Sequence, residues 1–393
     1  MQTKILINVN SIRAPLTGIG YYTLNIAKAL LDKDVDVVAV KNGTFLDKTA
    51  LLAMIDTFSR PESKLGEQGK LKALIIRLLQ KLPGVYKIKK ILVEKKAKRV
   101  LNKLSKQKYV YFEPSFIPLR YSGQTITTVH DLSFISHPEF HPKSRVEFLT
   151  SEMGQTIATS DHIVVDSDFI LEEMHSKFPS SVNKSSTLYL GVEPAFRRYS
   201  KDDVDSVLEH FKLSHKNFIL SVATLEPRKN LARLVEAYSK LPAAVRQDIP
   251  LVLAGGQGWK MQELLSSAQE LVAANQIVFT GYLADQELKY LYSAARLFAY
   301  PSLYEGFGLP IVEAMASGTP VLTSSIGATA EVAGPNAVLV NPYNVDDIYK
   351  GLNKAISDTA QSEALACNAF KYVKMYDWNT TADRLLGIVK ELA

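Results

Sequence analysis

Two glutamates and two glycines stand close together in the stretch Tyr300 to Ser324, YPSLYEGFGLPIVEAMASGTPVLTS. Glu305 precedes the glycines and Glu313 follows them, with seven residues between the two carboxylates. Gly306 and Gly308 supply the backbone freedom that a tight turn needs, and Pro310 suits the first turn of a helix. A glycine loop feeding a helix N-terminus aims backbone N–H groups where a phosphate can sit. Carboxylates do not bind phosphate, but they accept hydrogen bonds from sugar hydroxyls on either side of it. The ligand implied is a phosphate with polyols at both ends, a nucleotide sugar. Transfer from such a donor needs positive charge against the departing diphosphate. Arg228 and Lys229, on a loop after the apolar run Phe218 to Val222, are the fixed cations that can supply it. Asp203-x-Asp205 is the nearest pair suited to a metal, but it lies in a charged helical stretch and reads as a solvated face. His130 and Asp131 close a stretch that reads as a strand, Gln124 to Val129, at the end where parallel sheets bind ligands. Asp131 reads as orienting His130 or its loop. Taken singly, these residues have plainer explanations, since a Glu near a helix start is favoured by the dipole alone.

The elements that must hold these residues alternate strand and helix. Lys4 to Asn10 reads as a strand, Tyr21 to Leu31 as a helix and Val35 to Val40 as a strand, the βαβ opening of a doubly wound sheet. Between them, Gly18-Ile19-Gly20 has the look of a dinucleotide fingerprint, but Thr23 stands where the third glycine belongs. Residues 41–108 interrupt the alternation, with Leu71 to Leu82 and Ile88 to Leu104 reading as amphipathic basic helices. Strands at Tyr109 to Phe112, Asp161 to Asp166 and Ser186 to Leu190 continue the first half, with a helix from Ser167 to Lys177. Arg197 to Lys216 reads as the linker. The pattern then restarts with strands at Phe218 to Val222, Ile249 to Ala254, Ile277 to Thr280 and Leu297 to Tyr300, and a helix over Asp285 to Ala294.

The string PSLYEGFGLPIVEAMASGTPV resembles very closely the signature of the retaining glycosyltransferases of family 4. The resemblance is strong over 218–342, moderate over 1–40 and 124–196, and absent over 41–108. It implies an α/β fold of the GT-B class: two facing Rossmann-like doubly wound domains with an interdomain cleft. The implied domains are 1–196 on the acceptor side, 197–375 binding the nucleotide sugar, and a terminal helix, 376–393, crossing back to the first. By resemblance, Glu305 contacts the transferred sugar, Glu313 the nucleotide ribose and Lys229 the diphosphate. His130 corresponds to the family's acceptor-side His, and Gly18 and Gly20 to its glycine-rich first loop. Gly306, Phe307, Gly308 and Leu309 would hold sugar and phosphate, and Gly281, Tyr282 and Leu283 would pass near the base. One departure stands out: many members carry an Arg five residues before the Lys, where this chain has Thr224. Either Arg228 takes over that role or Thr224 gives only a hydroxyl hydrogen bond. Retention follows from the resemblance alone, with front-face attack and no named carboxylate nucleophile. TLEPRKN and His130-Asp131 look like bacterial polysaccharide mannosyltransferases, which implies GDP-mannose as donor, a lipid-linked or glycan acceptor, and a place in cell-surface glycan synthesis such as lipopolysaccharide O-antigen. UDP- and dTDP-sugars are the alternative donors. A nucleotide-sugar 2-epimerase and a non-enzymatic lipid-binding scaffold are the alternatives outside the class. No cofactor or metal is expected.

Composition sets the outer limits. The chain has 393 residues, 47% hydrophobic and 22% charged, the balance of a soluble globular protein with two domains of ordinary size. Its one cysteine, Cys367, excludes an internal disulfide and fits a reducing cytosol. No apolar run approaches the roughly 18 residues of a spanning helix, and MQTKILINVN enters a strand without signal-peptide architecture. The net charge of +6 is uneven. Arg60 to Lys108 holds 16 of the 46 basic residues and 3 of the 40 acidic ones, so it carries +13 and the rest −7. Few aromatics interrupt it for base stacking, which argues against nucleic acid. Basic helices with apolar faces point to an anionic membrane surface or to a solvated face, and the expected location is the inner face of the cell membrane.

Overall fold

The computed structural model describes residues 2–14, 16–59, 85–256 and 262–393. They form two compact units, Met1–Gly191 with Asp377–Ala393, and Val192–Tyr376. The first boundary falls five residues before the one expected from sequence. Residues 192–196 go with the second unit because Glu193 pairs with Lys289 at 3.4 Å and the Phe196 ring meets Tyr292 edge-on at 5.5 Å.

The first unit is built on β1 (Lys4–Asn8), β2 (Asp36–Lys41), β3 (Thr44–Leu46), β4 (Val110–Glu113), β5 (Thr125–Val129), β6 (His162–Val165) and β7 (Ser185–Thr187). Their order is β3-β2-β1-β4-β5-β6-β7. All neighbours are parallel except β3, which folds back antiparallel on β2. The inner strands are buried along their length, as strands covered on both faces must be. The helix expected over Ile88 to Leu104 runs Val85–Lys106 and buries Ala97, Leu101 and Leu104 against Leu6, Val38 and Tyr111. The companion helix expected over Leu71 to Leu82 lies outside the described residues. The terminal helix, Trp378–Leu392, is capped by Asp377 and belongs to this unit. Trp378 packs edge-on to Tyr22 at 5.9 Å, and Lys33 pairs with Asp383 at 2.8 Å. The start of the helix also lies close to Gly191, where a Cβ would fall 2.3 Å from the Trp378 backbone nitrogen.

The second unit has β8 (Ile219–Val222), β9 (Leu251–Ala254), β10 (Ile277–Gly281), β11 (Leu297–Tyr300), β12 (Val321–Ser324) and β13 (Val338–Val340). All are parallel in the order β10-β9-β8-β11-β12-β13. This is the doubly wound order, and its direction reverses between β8 and β11, where such sheets open a ligand crevice. The stretch read as a linker contains a helix, Lys201–Phe211, whose N-terminus is closed by a Ser200–Asp203 capping box. That box accounts for Asp203. Among the described residues no group of three metal-ligating side chains forms and no helix is long and apolar enough to cross a membrane.

Candidate active site

The loops after β8 and β11 meet at the reversal point of the second unit. They bring together Arg228, Lys229 and Glu305, residues about 76 apart in sequence. Glu305 is only 7% exposed. Its Oε1 accepts from Lys229 Nζ at 2.7 Å, from Ser302 Oγ at 2.6 Å and from the Tyr300 hydroxyl at 2.9 Å. Its Oε2 accepts from Arg228 Nη1 at 2.8 Å. Arg228 is also held by Glu226, at 3.0 Å, and by the Tyr304 carbonyl, at 3.1 Å. Asn230 locks the two loops together. Its side chain, in a left-handed backbone position, donates to the carbonyls of Pro301 and Pro342 at 2.9 and 2.7 Å.

The electrostatics follow from that packing. Burial alone would push Glu305 up, but Arg228 and Lys229 outweigh it and hold the carboxyl at about 2. Burial and the Arg228 guanidinium push the Lys229 ammonium down from its ordinary value, against the pull of Glu305. The cluster therefore holds two cations and two carboxylates, Glu226 included, paired with one another and largely shielded from solvent.

The helix expected at Leu309 to Ser317 spans Leu309–Ala316 and starts from Gly308, whose φ of 109° only glycine adopts readily. Glu313 lies on this helix, half-buried. Burial, with Asp285 and Glu193 nearby, pushes its carboxyl up to about 7, and Lys289 opposes them. The Tyr292 hydroxyl sits beside Glu313 without meeting hydrogen-bond geometry. Phe307 is buried edge-on to Tyr376 at 5.4 Å, and Gly306 is buried with it.

Other expected residues fall elsewhere. Thr224 is exposed on the loop after β8 and makes no contact with the cluster among the hydrogen bonds described. Gly281 ends β10 at a φ of 69°, its carbonyl accepting from Gly255 N at 2.9 Å; Tyr282 beyond it is 59% exposed and Leu283 is buried. That segment is two strands from β8. Gly18 and Gly20 belong to the first unit, in the opening turn of the helix Gly18–Leu31 rather than in a loop before it. Leu16 and the Ser11 carbonyl crowd Gly20, while Gly18 is open. Sequence reasoning missed Glu226, Tyr300, Ser302 and Asn230. Their places at the ends of β8 and β11 were the available signal.

The first unit has a reversal point of its own, between β1 and β4. One strand beyond it, at the end of β5, His130 is buried with both ring nitrogens engaged, Nδ1 with Asp166 Oδ2 at 2.8 Å and Nε2 with the Pro114 carbonyl at 2.9 Å. The orienting carboxylate is thus Asp166. Asp131 instead accepts from the Ser133 amide and hydroxyl and shapes the loop. Beside them Glu113, 3% exposed, accepts from Asn8 Nδ2 at 2.6 Å and the Tyr111 hydroxyl at 2.5 Å. Burial pushes Glu113 up to about 8, against those donors and His130.

Two largely parallel sheets, each with polar side chains gathered near its reversal point, define a pair of doubly wound α/β units. The fold is that of the GT-B glycosyltransferases: the chain superposes on Anabaena HepE, solved with UDP-glucose, with a TM-score of 0.71 over 100% of both chains at 18% identity. Residues 207–372 match the family described as glycosyl transferases group 1. Over 99% of this chain and 100% of the other, the sequence is 30% identical to O-antigen chain mannosyltransferase B of Escherichia coli. Serotype-specific mannosyltransferase WbdA, also of Escherichia coli, is 34% identical over 66% of this chain and 32% of its own length. The protein belongs to the group 1 glycosyltransferases.

Proposed function

We propose that the enzyme moves mannose from GDP-mannose, with retention of configuration and without a metal, onto a lipid-linked or polysaccharide acceptor in O-antigen-type glycan synthesis. The end-to-end similarity to O-antigen chain mannosyltransferase B carries this reading. The Glu305 cluster supports its chemistry. A diphosphate entering the loops after β8 and β11 competes with Glu305 for Lys229 and Arg228. Once those cations turn to the phosphates, Glu305 is left as an acceptor for hydroxyls of the transferred sugar, and Glu313 for those of the ribose. In front-face attack the bond from the anomeric carbon to phosphate oxygen breaks with its electron pair going to phosphate. The acceptor oxygen bonds to that carbon and its proton passes to the departing phosphate. Lys229 and Arg228 stabilise the charge that develops.

The HepE structure with UDP-glucose favours a second donor reading, a UDP-sugar. Incubation with GDP-mannose, UDP-glucose and dTDP-sugars, with and without membrane glycan, separates the readings. Mannosylated product from GDP-mannose alone supports the first. Interconversion of free nucleotide sugars would mark an epimerase, and inertness towards every donor would leave a scaffold.

The membrane half of the proposal rests on the basic helix. Ile88, Ile91 and Leu92 lie on its exposed face at helical spacing, among Lys87, Lys95, Lys98 and Arg99. An anionic bilayer attracts each nearby basic residue by about 1 kcal/mol, and the apolar trio adds burial. Anionic liposomes should sediment the wild type in low salt and lose a Lys87/Lys95/Lys98/Arg99→Glu variant. Equal binding by both, or by neither, would make this face merely solvated.

A further inference from the structure

Asn8, Glu113, His130 and Asp166 come from the carboxyl ends of β1, β4, β5 and β6, which are consecutive neighbours in one parallel sheet. They form a buried polar row along the edge where such sheets take ligands. Within it, the Pro114 carbonyl can only accept, so His130 Nε2 carries a hydrogen. Nδ1 faces a carboxylate at 2.8 Å, so a second proton lies between His130 and Asp166. The ring is pinned further by Tyr22 edge-on at 4.9 Å and by Phe116 at 5.7 Å. Among the described residues, Asp166 Oδ1 is buried without a hydrogen-bond partner. A pair placed for stability alone gains nothing by leaving a carboxylate oxygen bare in the interior.

We propose that Asp166 is a positioning residue for transfer: it holds His130 doubly protonated and in one orientation, and so fixes both the Pro114–Phe116 segment and a positive charge at the carboxyl edge of this sheet. This rests on the glycosyltransferase reading given above. The groups facing His130 are Asp166 after β6, Glu113 on β4, Asp131 beside it and the Tyr22 ring from the helix Gly18–Leu31. Burial alone would lower the His130 pKa, but Asp166, the Pro114 carbonyl and Asp131 together raise it.

The test uses nitrogen-15 NMR of the full chain labelled at its seven histidines, with His130 assigned from a His130→Gln variant, alongside kinetics of Asp166→Asn. The expected wild-type signature at about pH 6.5, where an ordinary imidazole is half protonated, is an imidazolium with both nitrogens protonated. Asp166→Asn keeps a hydrogen-bonding partner for Nδ1, its amide donating to the unprotonated nitrogen, but removes the charge, so His130 becomes neutral there. Its kcat should fall about 100-fold, as for loss of a positioned protonated side chain, with nucleotide affinity unchanged. The loss of activity on the alkaline side should also move to lower pH in the variant. A neutral His130 in the wild type would overturn the proposal whether or not the variant folds. So would wild-type kcat and pH profile in Asp166→Asn. Failure of the wild type to transfer any sugar would contradict the function proposed above, while the NMR signature would still decide the state of His130.

Discussion

The two reversal points occupy equivalent places in two similar sheets, yet they treat a buried carboxylate in opposite ways. In the second unit Glu305 meets two cations and is held at about 2. In the first, Glu113 meets only neutral donors at bonding distance, and burial lifts it to about 8. The same fold address thus carries a charged, preloaded cluster in one unit and a proton-holding row in the other. A cluster whose cations are already charged is ready for an anionic leaving group. A row that stores protons is suited to hydroxyls and to holding one ring in place.

The sharpest way to break this contrast is to remove a cation from the second unit. Lys229→Ala should cut turnover by about two to three orders of magnitude, the usual cost of deleting one charge-stabilising group. Full activity in a folded variant would remove Lys229 from the chemistry. Glu305→Ala comes next, and acts on stability as well as rate. It leaves Arg228 and Lys229 with less compensation in a buried setting, a loss of about 3 kcal/mol or more, visible as a lowered melting temperature. Because the folded carboxyl lies below its ordinary value, its stabilisation is fully present above the ordinary carboxylate range and is lost progressively as pH falls from there through about 2. Transfer should drop in this variant more than nucleotide affinity does.

Glu313 offers a subtler probe. With its carboxyl near 7, it binds a proton in the folded state that the unfolded chain releases, so its ionisation costs stability as pH rises from its ordinary value through 7. Ribose hydroxyls need the ionised form, so nucleoside diphosphate affinity should rise as pH passes 7. Glu313→Ala should abolish that rise and weaken binding about tenfold. Calorimetry from pH 6 to 8.5 checks both, and a flat profile in the wild type would detach Glu313 from the ribose. The smallest expected effect is that of chelator. With Arg228 and Lys229 as fixed cations, excess EDTA should leave activity unchanged, and loss restored by magnesium or manganese would overturn that.

The fold was largely legible because hydrophobic runs and turn residues repeat. Helices at Asp285–Ala294 and strands at Leu297–Tyr300 fall where the pattern puts them. Glycine behaviour was harder to read. Gly308 needs its positive φ, whereas Gly18 and Gly20 are spent on the first turn of a helix, and no local pattern distinguishes the two uses. Partners distant in sequence were not legible either. Adjacency left Asp131 to orient either His130 or its loop; it shapes the loop, and because β6 lies beside β5 it is Asp166 that reaches the ring. The pairing of Glu305 with both cations likewise depends on strand order, which sequence periodicity leaves open.

The central claim is that Arg228 and Lys229 leave Glu305 to take the donor's diphosphate. Titration calorimetry of GDP against guanosine, on wild type and Lys229→Ala, measures this directly. The account predicts that GDP binds the wild type at least about tenfold more tightly than guanosine, as expected for charge-assisted bonds to phosphate, and that Lys229→Ala loses most of this advantage while guanosine binding is unaffected. An advantage for GDP equal in both proteins, or none in the wild type, would contradict it.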